Sequence, residues 1–344
     1  YWTSSNLKTP KRILIVRPDR IGDVVLSTPM PREIKKTFPD SFVAVMLRKY
    51  TKDVYENNPY VDQVILIDDY DDGSMESFWK KVDEIRRYEF THSLTLLPTE
   101  RLNYMLFFAG IPYRVGVGHK LYQFITFTKY VSRKKYIPLR HEADYCMDLA
   151  RKIGVVSNNL ETEIFLTEEE KKKSSELRTK LLNGKKYLVG IHTTSGNSAP
   201  NWAADSYKKL IDELQKIDDM QIIVTDNQIT ELLFNISEKC FPNIGKSLRE
   251  SFITFNAVDL LISASTGPMH ICAALKVKTL SLFCPLTACS PKLWGPLGNE
   301  SKIILPSEDY CSHKCPGDPK KCTFEGDGGI NVEQVLNEVT KLLL

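Results

Sequence analysis

The chain has 344 residues, long for one hydrophobic core and comfortable for two domains. Its 46 Lys and Arg against 43 Asp and Glu leave a net charge of +3, which gives no global case for a nucleic-acid partner, so an anionic ligand has to be met by local patches. The apolar and charged fractions are those of a soluble globular protein, and the nearest approach to a membrane span, residues 104–110, falls far short of the roughly 20 apolar residues such a helix needs.

Apolar runs rich in β-branched residues at 13–16, 42–47, 64–67 and 94–97 alternate with helix-length amphipathic segments, the pattern of a parallel sheet wrapped by helices. The first run ends in Arg17-Pro18-Asp19-Arg20-Ile21-Gly22-Asp23, and a helical pattern starts at Val24. Gly22 lets the backbone turn tightly and come close to a ligand. Asp23, at a helix N-terminus, is a candidate base for a bound hydroxyl, or else a plain N-cap. No G-x-G-x-x-G fingerprint follows this strand, which argues against a dehydrogenase.

Residues 155–185 break the rhythm, and the charged run 168–173 reads as an exposed helix start. The boundary placed there divides the chain into 1–165 and 166–344. A second series of strands follows at 187–191, 221–225, 260–263 and 279–283, with helical patterns at 205–217 and 230–239 between them. Two Rossmann-like α/β domains in tandem result. Open parallel sheets bind ligands outside the carboxyl ends of their strands, so substrates are expected in a cleft between the two.

The small, polar loop from His192 to Trp202 could bring amides and hydroxyls onto phosphate oxygens; the plain alternative is an ordinary loop with Trp202 in the core. Further on, Ser265-Thr266-Gly267-Pro268-Met269-His270 turns a strand into a helix whose free N–H groups and macrodipole attract an anion, with phosphate the expected guest. Gly267 is read as the N-cap and Pro268 as the first helical residue, which puts His270 in the first turn. The other reading is a capped helix carrying a partly buried histidine.

Five of the eight cysteines lie in or beside apolar segments, as reduced cysteines of a cytosolic protein do. Cys311, Cys315 and Cys322 form a C-x3-C-x6-C loop with His313 between the first two; reduced, loop-ordering cysteines are the expectation, with no metal.

The order of these pieces resembles glycosyltransferase family 9, the lipopolysaccharide heptosyltransferases and their relatives. The resemblance rests on RILIVRPDRIGDVVLSTPMPREIKKTFPD, ENNPYVDQVILID, GIPYRVGVG, IHTTSGNSAPNWAADSYKKLIDEL and LISASTGPMHICAALKVKTLSLFCP, and spans nearly the whole chain. It implies a GT-B fold, with two parallel sheets facing across a cleft, and inverting transfer of heptose from ADP-heptose to a sugar acceptor at the cytoplasmic face of the inner membrane, with no cofactor required. Carried over by residue, Asp23 is the catalytic base, and Thr193, Thr194 and Ser198 line the phosphate loop. Ser265, Thr266, Gly267 and His270 hold the pyrophosphate and donor sugar.

The carboxylate usual after strand 221–225 has no clean match, and Gln228 is preferred to Glu231 in its place. An anionic glycolipid acceptor, held with a peripheral membrane contact, would meet Arg101, Arg114 and Lys120, although exposed basic residues commonly only solvate a surface. Two positions depart from the family pattern. Pro200 stands where a basic residue is usual, with Arg17 or Arg20 as substitutes, and Ser265 stands where an aspartate is frequent. A non-catalytic nucleotide-sugar or glycan-binding module, or an epimerase of the same architecture, stays open beside the transferase reading.

Overall fold

The computed structural model describes residues 10–68, 73–133, 136–196, 199–228, 230, 233 and 240–344. The chain divides into two compact units, Tyr1–Pro138 with Ala143–Asn159, and Leu139–Glu142 with Leu160–Leu344.

The elements of the first unit are β1 (Arg12–Val16), α1 (Ile21–Val25), α2 (Pro29–Thr37), β2 (Phe42–Leu47), β3 (Gln63–Leu66), α3 (Met75–Arg87), β4 (His92–Thr95), α4 (Glu100–Phe108), β5 (Tyr113–Val117), α5 (Leu121–Ile125) and β6 (Lys129–Val131), followed by α6 (Glu142–Arg151). The strands form one parallel sheet in the order β3-β2-β1-β4-β5-β6. Residues of both parities in β1 and β2, Ile13 to Val16 and Val43 to Leu47, are buried, so both faces of the sheet are covered and the strands read as unbroken apolar runs. Leu14, Val16, Ala44 and Met46 pack with Phe78, Val82 and Ile85 of α3 and Leu102, Met105 and Leu106 of α4.

The second unit contains α7 (Glu168–Leu182), β7 (Tyr187–His192), α8 (Ala204–Leu214), β8 (Met220–Val224), α9 (Leu248–Ala257), β9 (Leu260–Ala264), α10 (Gly267–Ala274), β10 (Lys278–Leu282), α11 (Pro291–Trp294), β11 (Ser301–Ile304) and α12 (Val332–Leu343). Its sheet is also parallel, ordered β11-β10-β9-β7-β8. Tyr207, Leu210, Ile211 and Leu214 form a helix-spaced stripe on α8 that joins Val335 and Val339 of α12 over Val189, Ile191, Ile222 and Val224.

Both sheets reverse strand order beside their first strand, between β1 and β4 and between β7 and β9. The loops leaving such neighbouring strands diverge to opposite sides and leave a crevice at the carboxyl edge. Residues 17–20 and 265–266 follow β1 and β9 at these two places.

The structure differs from the sequence expectation in several elements. Strands β5, β6 and β11 were not foreseen, because Arg114 and Gly116 interrupt the apolar run of β5, while β6 and β11 are short, largely exposed edge strands. Helix α1 begins at Ile21, since Arg20 has an extended backbone and its carbonyl accepts from the Val24 amide at 3.0 Å. Asp23 is therefore the third residue of a single helical turn, not its N-cap. Gly22 lies inside the same turn and outside the left-handed region, so the tight-turn role expected of it is not needed. In α10 the N-cap is Thr266, with Gly267 and Pro268 as the first two helical residues, one position earlier than expected. The helix expected at 230–239 falls mostly outside the described residues.

Candidate functional site

In the first unit the site starts with Arg17. Its amide still donates to the Met46 carbonyl at 3.0 Å, so the sheet holds its backbone while its side chain turns under the following loop, 1% exposed. The guanidinium places Nε 3.0 Å from Asp19 Oδ2 and Nη2 3.0 Å from Asp23 Oδ1, and Nε also donates to the Asp23 carbonyl at 3.2 Å. Two carboxylates of its own loop thus compensate its charge. Arg17, expected as a substitute for the basic residue missing at position 200, thus has Nε and Nη2 engaged within its own loop. Arg20 is exposed at the N-cap of α1. The Asp23 side chain is 26% exposed, so the carboxylate is oriented from below and accessible from above.

A cavity of about 310 Å³ opens at the carboxyl edge of the same sheet, lined among others by Pro18, Arg48, Asp68, Leu97, Thr99 and Arg101. Arg101 is steadied there by the Ser74 carbonyl at 2.8 Å and Ser77 Oγ at 3.1 Å. Lys120 is exposed. Arg114, expected to face an acceptor, is instead 8% exposed and donates to the carbonyls of Ile111 and Thr126. Burial also lowers its pKa. An arginine with both terminal nitrogens on backbone carbonyls and its Nε buried braces a loop and does not present its fork to a ligand at the surface.

In the second unit the residue that organises the loop after β7 is Asp226, which the sequence reading missed. It lies two residues beyond β8 and is fully buried. Oδ2 accepts from the Thr193 amide at 2.8 Å and hydroxyl at 3.1 Å, and Oδ1 accepts from the Thr194 amide at 2.9 Å and hydroxyl at 2.6 Å. A hydroxyl has one proton to give. Thr193 and Thr194, expected to line the phosphate loop, spend theirs on Asp226 in this structure and so hold that loop in place. Adjacent threonines at the end of one strand and an aspartate at the end of its neighbour were the available signal. His192 completes the cluster, its Nδ1 3.1 Å from Thr225 Oγ1 and its Nε2 3.6 Å from Asp226 Oδ1. Burial lowers its pKa against the opposing pull of Asp226.

Gln228 is exposed, while Ser198 and Glu231 lie outside the described residues. Asn201 Nδ2 donates to the Thr193 carbonyl at 2.7 Å, and Trp202 is a core residue, 2% exposed with its indole N–H on the Ile330 carbonyl.

Helix α10 presents its N-terminus at the carboxyl edge next to this loop, because β9 pairs with β7. Thr266 makes no side-chain cap, Ser265 is half-buried, and Gly267 adds no side chain in front of the first amides. Thr266 Oγ1 and His270 Nδ1 are both buried without a hydrogen-bond partner among the described residues. Native proteins rarely leave buried polar atoms unmatched, and two of them beside uncapped helix amides form a ready seat for an anion. His270 is 5% exposed, and burial, helped by His141, pushes its pKa down to about 3. At that value the ring is neutral at pH 7 in the unliganded protein.

Cys284, from the segment after β10, joins Cys311, Cys315 and Cys322 around a separate cavity of about 340 Å³ that Pro200 also lines. Among the described residues no group of three or more His, Cys, Asp or Glu is arranged to hold a metal ion. No helix of the described residues is long and apolar enough to cross a membrane.

The family model for glycosyltransferase family 9 (heptosyltransferase) matches residues 78–322. Lipopolysaccharide heptosyltransferase 2 of Escherichia coli is 22% identical over 352 residues, covering 97% of this chain and 99% of that one. Among solved structures, the family 9 glycosyltransferase of Veillonella parvula superposes with a TM-score of 0.80 at 22% identity, covering 97% of both chains. The E. coli ADP-heptose lipopolysaccharide heptosyltransferase II gives 0.75 at 18% identity, covering 96% of this chain and 98% of the other. These likenesses establish the GT-B fold, and the family match over most of the chain establishes the enzyme class: this chain belongs to glycosyltransferase family 9, the heptosyltransferases.

Proposed function

We propose that the chain transfers a heptose from ADP-heptose to an anionic lipopolysaccharide-core or related glycan acceptor, with inversion at the anomeric carbon and without a metal cofactor. The acceptor's chemistry would put the reaction at the cytoplasmic face of the inner membrane. In this reading Asp23 takes the proton of the acceptor hydroxyl as its oxygen bonds to the anomeric carbon, the bond from that carbon to the diphosphate oxygen breaks, and ADP leaves with the electron pair. General-base assistance of this kind contributes about 10² to 10⁴ in rate.

The observation that carries the reading is the seat at α10, where uncapped amides stand with the unmatched Thr266 hydroxyl and His270 Nδ1. Such a set suits a diphosphate, whose charge preorganised donors can meet as it develops. The loop braced on Asp226 flanks the seat, and Ser265 and Gly267 border it. On the acceptor side, Arg48 and Arg101 in the cavity of the first unit suit an anionic sugar. The lining of that cavity also replaces Arg114 as the place to look for acceptor contacts.

The test is a donor and acceptor screen read by mass spectrometry. ADP release from ADP-heptose that depends on acceptor, together with a glycosylated product, is the expected result. Isomerised free sugar would favour the epimerase reading, and binding without turnover a non-catalytic module.

A further inference from the structure

The segment around α5 has its polarity turned inside out. Gln123 and Thr126 are 2% and 1% exposed, while Leu121, Phe124, Ile125 and Phe127 are 75%, 81%, 53% and 84% exposed. The inner, polar side is tied down by a connected set of hydrogen bonds. Gln123 donates to the Val117 carbonyl at 3.2 Å, and its Oε1 accepts from the Lys120 amide at 2.9 Å. Asn103 Nδ2 donates to Thr126 Oγ1 at 2.6 Å and to the Tyr122 carbonyl at 3.1 Å, and Arg114 donates to the Thr126 carbonyl. Rolling the helix to bury its apolar residues would strip these bonds from groups that have no water to replace them. Phe127 has a backbone φ of 52°, a left-handed conformation that bulky side chains avoid, and the fold spends that strain on a residue it leaves in solvent.

The apolar cluster sits among basic residues. His119, Lys120 and Lys129 are exposed and flank it in sequence, Lys129 with its ammonium 4.0 Å from the Tyr113 ring centroid, and among the described residues neither lysine forms an ion pair. Large apolar side chains exposed together within seven residues mark an interaction surface, and exposed aromatic residues flanked by exposed lysines match the boundary between acyl chains and anionic headgroups.

We propose that the α5 face, with Phe124 and Phe127 at its tip, is a membrane-docking surface that inserts its apolar side chains into an anionic phospholipid bilayer while Lys120 and Lys129 meet the lipid phosphates. The docking face deepens the membrane-side reading of the proposed function, and because lipid binding is measured without donor or acceptor, its failure is distinguishable from a failure of sugar transfer.

The experiment is sedimentation of the full chain with phosphatidylcholine vesicles, with or without about a third phosphatidylglycerol, at two salt concentrations. Binding is expected to the anionic vesicles and to weaken with salt. The pair Phe124→Ser and Phe127→Ser should weaken it by at least about tenfold, and Lys120→Gln or Lys129→Gln by about fivefold each. Hydrogen exchange on the unaltered chain should show residues 119–131 gaining protection when vesicles are added, which tests the surface without any variant. The proposal is overturned if the chain stays in solution with anionic vesicles, if the correctly folded double-Phe variant binds as well as the parent, or if no protection develops at 119–131. A dimer that the double-Phe variant dissociates, with no vesicle binding, would assign the face to a second copy instead.

Discussion

The Arg17 guanidinium, 1% exposed, holds Asp23 Oδ1 at 3.0 Å from below, while the Asp23 side chain keeps about a quarter of its surface in solvent. Asp23→Asn is expected to leave folding and ADP binding near their parent values and to lower turnover at least about a hundredfold, because the side-chain shape survives and the base does not. Steady-state kinetics with calorimetry of ADP binding checks it. Unchanged turnover would reduce Asp23 to a helix residue.

Arg17 is expected to matter for stability as much as for catalysis. Arg17→Ala leaves Asp19 and Asp23 without their common partner and opens a buried space, a change that costs about 3–5 kcal/mol when a buried ion pair is broken. Urea unfolding measures it, and a loss below about 1 kcal/mol would show that the pair contributes little.

Asp226→Asn puts an amide donor where four donors converge. The expected outcome is a loss of about 2–4 kcal/mol and a weaker affinity for ADP, since the Thr193 and Thr194 amides lose a charged acceptor. Thr193→Val should cost less, because the Thr193 amide keeps its bond to Oδ2. Equal effects for the two substitutions would contradict the organising role of the carboxylate.

His270 supplies a test of the donor seat. Its ring should titrate near 3 in the free protein, and a bound diphosphate should raise that value by favouring the protonated form, while leaving the ring neutral at pH 7. An NMR titration with and without ADP reads both effects; a ring indifferent to ADP would remove His270 from the seat. His270→Ala should weaken ADP binding by about 1–3 kcal/mol.

Folding stability should fall on acidification for a related reason. Burial lowers His270 to about 3, and burial with Lys11 nearby lowers His92 to about 4, whereas both titrate near 6.5 when unfolded. Between those limits the unfolded chain binds more protons, so stability is complete above about pH 6.5 and declines toward pH 4, by up to about 1.4 kcal/mol per pH unit for each histidine. Urea midpoints at pH 7 and pH 5 measure the decline, and His92→Gln should flatten it. A midpoint independent of pH would show that these rings are solvated.

The apolar runs of β1, β2, β7 and β9 were legible because strands buried on both faces need apolar residues at every position, a local requirement that composition meets directly. The loops after β1 and β9 were legible for a similar reason: the small residues and proline around Gly267 announce a helix start whatever the chain does elsewhere. The family motifs then connected these pieces to glycosyl transfer. Partnerships across sequence distance were decided by tertiary structure alone. Asp226 reaches Thr193 and Thr194 only because β8 lies beside β7, and Cys284 meets Cys311, Cys315 and Cys322 only because the loops fold together. Arg114 looked like a surface cation until the sheet placed Ile111 and Thr126 carbonyls around it. The outward face of α5 was equally hidden, because helical periodicity tells which residues share a side, and hydrogen bonds from Asn103 and Arg114 choose which side turns inward.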